Sequence, residues 1–436
     1  MQHLKKLFKY ILLLLLFNFQ LSYPQTFNIN KNSTIKVQII QSATRIKFKP
    51  LKTFFLSTDA NQCYQLNTVD YLLTLKDNTF ILTNGNDTIK TSNYFNIESN
   101  DESSNLLIYD VPYGVGWWWE GKQNRTYNGI ISFFINNKKI QVINELNIEY
   151  YLCGVVPSEI GKDTPLEALK AQAVAARSET FYALYKGLYK GNNYDICADV
   201  ECQVFAGTTN RTPLSDTAVF TTAGIALFDH NNLPISGFFA SNCGGFSEDI
   251  ENVWSRRPNP DKIFSSHFDN DTSYNIDLTN EQNLINFIDN PPITYCNPAY
   301  HNLPTWSNNN FRWQRIFTKD TISYWLNKKK NIGKLDTIKV LKRGKSGRII
   351  DAYFIGTKDS LYVKSELEFR QVFNPPLRSS CCYIKYTGDT IIVKGAGWGH
   401  GVGMCQSGAI GRAKAGQNFM QILKHYFQNA AIRKVY

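Results

Sequence analysis

Two stretches of this 436-residue chain gather residue types that can do chemistry. In Val155-Val156-Pro157-Ser158-Glu159-Ile160 one carboxylate sits in an apolar run. Burial there would raise its pKa and let it hold a proton for general acid catalysis. An exposed loop carboxylate is the competing reading. From Gly395 to Gly403 glycine occupies every second position, with Trp398 and His400 between glycines. In an extended chain one face is then bare and the other carries the tryptophan and histidine. Glycine costs a strand roughly 0.5–1 kcal/mol per residue against alanine, so the run implies a use, either close approach by a ligand or tight internal packing. Cys243 and Cys405 lie beside glycine-rich segments, and either could act as a thiol nucleophile with His400 as base. The cysteine count, nine, is odd, so at least one thiol is free or pairs with another chain. Cys381 and Cys382 are neighbours, a spacing that does not suit a relaxed disulfide between them.

These residues need elements to position them, and the expected fold class is α+β. Thr164-Pro165-Leu166-Glu167 combines a capping hydroxyl, proline at the first helical position and a carboxylate three residues after the cap. The pattern predicts a helix running to about Tyr185. Its centre, Ala168 to Arg177, is mostly small side chains, so another element can approach its backbone. Lys170 and Arg177, seven apart, share one face as a cationic edge or as two solvated charges. From about Gln25 to Asn124 short β-type runs alternate with turns such as Asn84-Gly85-Asn86-Asp87, predicting a strand-rich amino-terminal region over 26–124. Trp117, Trp118 and Trp119 cannot all face one core in a strand, so at least one is available to a partner or sugar, or else packs at a corner.

Strands are expected over Gly129 to Ile135 and Lys139 to Ile143, and two strand-like runs around Asn231-Asn232 between Thr217 and Phe246. Residues 256–310 are polar and proline-containing and read as an insertion. A helix over Ile322 to Lys328 and strands over Thr337 to Leu341, Ile349 to Ile355 and Thr390 to Val393 complete the expected domain, 125–436.

The formal charge is +11, which suits nucleic acid, a membrane surface or an acidic polymer. Lys5, Lys6 and Lys9 precede the apolar run Ile11 to Phe17, so residues 1–25 are expected to be an export signal. The run is shorter than the about 20 residues a permanent bilayer span needs, so no membrane span is expected once the signal is removed. Export also disfavours nucleic acid as partner, as does the lack of a recognisable binding module.

In order along the chain stand Tyr151-Leu-Cys-Gly-Val-Val-Pro-Ser-Glu159, Glu167-Ala-Leu-Lys-Ala-Gln-Ala-Val-Ala-Ala-Arg177, Cys202-Gln-Val-Phe205, Ser241-x-x-Gly244-Gly245, Ser346-Gly-Arg348 and Gly397-Trp-Gly-His-Gly-Val-Gly-Met-Cys-Gln-Ser-Gly-Ala409. Their types and order, from about residue 128 to the end, resemble the SpoIID/LytB family; the amino-terminal hundred residues are not covered. The resemblance implies an exported bacterial envelope or periplasmic protein. Its SpoIID branch is similar to lytic transglycosylases acting on peptide-stripped peptidoglycan glycan strands, with Glu159 as general acid and base. The motif positions Lys170, Gln172, Arg177, Gln203, Ser241, Gly244, Gly245, Trp398, His400 and Gln406 would then surround the glycan. Residue type suggests hydrogen bonds to N-acetyl, hydroxyl and lactyl carboxylate groups, with Trp398 stacking on a sugar. The LytB branch is similar to non-catalytic enhancers of an amidase, which makes an amidase a possible partner.

One departure concerns metal. Some SpoIID proteins resemble a zinc site of two cysteines and two histidines. Here Cys197 and Cys202 remain, but Glu201 stands at the adjacent histidine position and 191–196 contain no histidine. Two thiolates and a carboxylate are an incomplete tetrahedral set. In an oxidising compartment a Cys197–Cys202 disulfide is expected instead, with no metal and no cofactor.

Overall fold

The computed structural model describes residues 29–91, 94–101, 103–272 and 274–436; the expected export signal lies outside them. Among the described residues, no helix is long and apolar enough to cross a membrane. The architecture is α+β and strand-rich.

Short alternating segments build two sheets. Phe54–Thr58 and Thr79–Thr83 alternate buried and part-exposed residues, the period of a strand with one face on a core. A seven-stranded sheet runs in the order 196–197, 34–43, 139–147, 130–136, 94–98, 54–58, 63–66, and a six-stranded sheet in the order 121–127, 106–113, 45–50, 71–76, 79–83, 88–91. Their inner faces meet through aromatic rings. Phe80 of the second sheet packs edge-on against Phe95 of the first at 5.3 Å, and Phe48 lies 5.7 Å from Phe133. The expected division at residue 124 falls inside the strand Gly121–Tyr127, and Thr34–Ala43 pairs antiparallel with Lys139–Asn147. One apolar core extends from Ile35 to Phe427 across that division.

Helix α1 (Ile148–Ile160) leaves the first sheet directly, capped by Asn147, whose side chain accepts from Glu149 N at 2.9 Å. Helix α2 (Leu166–Lys186) follows and ends at Gly187 in the left-handed conformation. The expected hydroxyl cap differs: the capping residue is Pro165, which has no side-chain acceptor, while Thr164 Oγ1 donates back to Ile160 O at 2.8 Å. Glu167 also turns outward from that role, accepting from Lys170 Nζ at 2.7 Å and Phe419 N at 2.8 Å. The small residues of α2 do admit close backbone: a Cβ on Gly237 would overlap the carbonyl of Ala175.

Helix α3 (Pro213–Thr221) replaces the first part of the strand-like run expected from Thr217. Thr212 and Ser215 form a capping box with proline at the helix start, a local signal that outweighs the β-branched residues behind it. The expected insertion contains the helices Glu281–Asp289 and Thr305–Phe311, the first burying Leu284, Phe287 and Ile288. Beyond it, two three-stranded sheets, 312–318/390–396/382–387 and 335–343/349–356/360–364, enclose a separate apolar core.

The glycine run is not a strand with a bare face. The strand Thr390–Ala396 takes in only Gly395 of the run, and Gly397, Gly399, Gly401 and Gly403 all have positive φ. The run winds as a loop through crowded interior. A Cβ at Gly401 would overlap the Arg348 guanidinium, and one at Gly403 the Phe238 carbonyl.

Candidate active site

Glu159 lies in the last turn of α1, where the carbonyl end of the helix disfavours negative charge. Its Oε1 accepts from Val204 N at 2.6 Å. Burial raises its pKa to about 7, opposed by the hydrogen bonds from Val204 and Gln406 and reinforced by the charge of Asp199. A carboxyl poised there can give and retake a proton near neutrality.

Three of the expected residues gather around it. Gln406 opens the helix Gln406–Lys414, lies near enough to lower the Glu159 pKa, and donates to Gln172 Oε1 of α2 at 3.3 Å. Gln203 precedes the Val204 amide and donates to Ala176 O and Thr180 Oγ1, both at 3.3 Å. Gln172 Nε2, Gln203 Oε1 and the hydroxyl of Tyr151 are buried with no hydrogen-bond partner among the described residues. The charge of Glu159 reaches Tyr151, whose hydroxyl is also pushed well up by burial. Unmet polar atoms beside a proton donor are places for water or a hydroxyl-rich ligand.

An aromatic cluster is linked to the Glu159 region through Asp199. Asp199 accepts from Gly114 N at 3.0 Å and Val115 N at 2.9 Å, tying the tryptophan loop to the segment between Cys197 and Cys202. Those two cysteines are joined in a disulfide with Cα atoms 5.6 Å apart. Trp118, 42% exposed, stacks on Trp398 with centroids 6.2 Å apart, and Trp119 meets Trp398 edge-on at 6.0 Å. The glycine loop thus delivers Trp398 to an amino-terminal partner, held by reciprocal backbone bonds between Trp398 and Asn242.

Other expected residues stand elsewhere or are already occupied. Arg177 is fully buried in a bidentate pair with Glu149, at 2.8 and 2.5 Å, and donates also to Ile225 O and Val219 O. It is therefore not a cationic edge: every donor that could reach a glycan is spent inside the protein. Lys170 pairs with Glu167 at 2.7 Å. Ser241 Oγ accepts from Asn310 Nδ2 at 2.9 Å, and its carbonyl accepts from Ser407, next to Gln406. Gly244 and Gly245 form a buried turn with positive φ against Ala396 and Phe287. His400 has Nε2 3.1 Å from Phe239 O and Nδ1 accepting from Val402 N at 3.0 Å, and burial pushes its pKa down to about 3. Both its nitrogens are engaged by backbone, so neither is turned toward the thiol of Cys243 or Cys405 as a base.

Sequence reasoning missed Asp199, Tyr151 and the Val204 amide. Tyr151 stands eight residues before Glu159, just over two helical turns, a spacing that was visible. The Asp199 contact with residues 85 positions away had no local signal. Glu179, a second half-buried carboxylate whose charge reaches Tyr151, accepts from the Ser236 hydroxyl. Two surface cavities, one lined by His267, Asp271 and Lys424 and one by Arg45, Lys47 and Lys122, do not include Glu159.

Residues 136–228 match the family model of the stage II sporulation protein, SpoIID, and residues 248–403 match a domain of unknown function (DUF8618). An uncharacterized protein of Brachyspira hyodysenteriae is 29% identical over 337 residues, 73% of this chain and 77% of that one. Stage II sporulation protein D of Bacillus subtilis is 27% identical over 305 residues, 67% of this chain and 76% of that protein. The amidase enhancer of the same organism is 27% identical over 308 residues, 64% of this chain; the match spans 40% of the enhancer's length.

Proposed function

We propose, from the chain's membership of the SpoIID/LytB family that the matches to both branches support, that it is an exported lytic transglycosylase of peptidoglycan glycan strands. The observation that carries this reading is the protonatable Glu159, its pKa near 7, beside buried polar atoms without partners. Glu159 gives its proton to the oxygen between MurNAc and GlcNAc as the C1–O bond breaks. The carboxylate then takes the proton of the MurNAc 6-hydroxyl as that oxygen bonds to C1, closing a 1,6-anhydro ring. The proton is returned and no water is consumed. Hydrolysis in most glycosidases needs a second carboxylate to activate water or attack the sugar; an internal nucleophile removes that need. Gln172, Gln203 and Gln406 offer amide groups to the sugar, and Trp118 with Trp398 offers ring faces.

A second reading is favoured by the likeness to an amidase enhancer. There the same residues bind wall glycan and the protein raises the activity of an amidase without cutting the strand. Incubation of the purified protein with amidase-treated peptidoglycan separates the two. The transglycosylase reading expects anhydro products from the protein alone. Faster amidase release with no anhydro product supports the enhancer reading.

A further inference from the structure

Apart from the two cysteines joined in the disulfide, three thiols and a carboxylate converge in the interior. Cys243 follows the strand Phe239–Ala240, Asp269 and Cys296 come from the polar segment 256–310, and Cys405 caps the helix Gln406–Lys414. All four are buried, and their donor atoms lie within 4.8 Å of one another. Cys243 Sγ and Cys296 Sγ are 3.7 Å apart. Two thiolates on a tetrahedral zinc with Zn–S arms of about 2.3 Å stand about 3.8 Å apart, so the spacing suits two corners of one coordination sphere.

The surroundings are those of ligands held ready. Cys405 Sγ accepts from Cys243 N at 3.1 Å and Gly408 N at 3.3 Å, bonds that favour a thiolate and fix its direction. Thr294 Oγ1 lies 3.5 Å from Cys296 Sγ. Asp269 is oriented by Cys296 N at 2.9 Å and Tyr426 OH at 2.7 Å. Counter-charge is at hand. Arg348, fully buried, donates to Cys243 O, Ser346 Oγ and Phe246 O, and Arg312 donates only to the carbonyls of Gly244, Phe287, Ile288 and Phe311. Neither forms an ion pair among the described residues. Guanidinium groups are costly to bury without an anion nearby, and three thiolates and a carboxylate around a dication leave net negative charge for them.

We propose that Cys243, Cys296, Cys405 and Asp269 bind one thiophilic divalent cation, zinc in the first instance, as a closed structural site. Binding releases the three thiol protons. Four protein donors leave no open position, as expected of a structural centre. The ion ties the 256–310 segment to the turn after Ser241 and to the helix that presents Gln406. This site is independent of the transglycosylase reading.

The test uses the full purified chain. Elemental analysis is expected to find about one zinc per chain. Cobalt(II) exchanged into the protein is expected to give intense sulfur-to-cobalt charge-transfer absorption. Cys296→Ser should lose that band, while Cys63→Ser, at an exposed thiol, keeps it. The cobalt spectrum of the unmutated chain needs no variant to fold. A chain that takes up neither zinc nor cobalt(II) would overturn the proposal, as would peptide mapping that finds two of the three cysteines joined in a disulfide.

Discussion

Glu159 combines a motif position with an environment that holds a proton near neutrality. Its pKa in the folded chain is about 7, above the about 4.3 of an unfolded glutamate. The native state therefore binds a proton that the unfolded chain has released, and this linkage removes stability as pH rises from about 4.3 through about 7. For catalysis the protonated acid must start the reaction, so kcat/KM is expected to fall as pH climbs through about 7, measured as an initial-rate profile on glycan strands. A flat profile between about pH 6 and about pH 9, either side of that value, would remove Glu159 as the acid. Asp199 raises the Glu159 pKa through its charge. Asp199→Asn is expected to move the falling limb to lower pH and to loosen the tryptophan loop, seen as a change in tryptophan fluorescence. Of these residues, Glu159, Gln172, Gln203 and Gln406 were legible in the sequence because they sit inside contiguous motifs. Asp199 was not, since its work depends on a loop 85 residues away.

Among the elements, α2 shows how a shared face can mislead. Lys170 and Arg177 do stand seven apart, but a helix has a core side as well as a solvent side, and spacing alone does not say which one Arg177 faces. Its partner Glu149 belongs to α1, 28 residues earlier, and each side chain is almost wholly buried, at 0% and 8% exposure. Arg177→Ala leaves a buried carboxylate unpaired and is expected to destabilise the fold by about 3–5 kcal/mol. Chemical denaturation would register this as a lowered midpoint; a midpoint unchanged with weakened glycan binding would return Arg177 to the glycan contacts. The glycine loop misled for a related reason. Alternate glycines satisfy the period of a strand, but four positive φ values bend the chain instead, and the bare positions are filled by Arg348 and Phe238. Helix α3 was not expected from the sequence, whose reading began the strand-like run at Thr217; its capping box at Thr212 and Ser215 lies just before that run.

At the scale of the whole molecule, the strand-rich amino-terminal part was legible from its alternation and turns, but its dependence on the rest was not. Strand pairing between residues far apart in sequence, such as Ile35 with Leu146, leaves no local trace. Removal of residues 29–124 would strip strands from both sheets and expose Phe133 and Val142, which are fully buried. The truncated chain is expected to be insoluble or to lack cooperative unfolding, followed by circular dichroism during thermal denaturation. A fragment that unfolds cooperatively near the full-length midpoint would make the amino-terminal part an appended module. The surplus of positive charge, +11, suits an anionic wall polymer, yet its most conspicuous arginine is interior, so long-range attraction rests on the exposed lysines. The central claim, that Glu159 carries out glycan cleavage, is tested most directly by mass mapping of the muropeptides and glycan ends released from peptidoglycan by the native protein and by Glu159→Gln. The account predicts 1,6-anhydroMurNAc ends from the native chain and a loss of about 100-fold or more in the folded variant. Equal yields of anhydro ends from both proteins, or reducing MurNAc ends from the native chain, would contradict it.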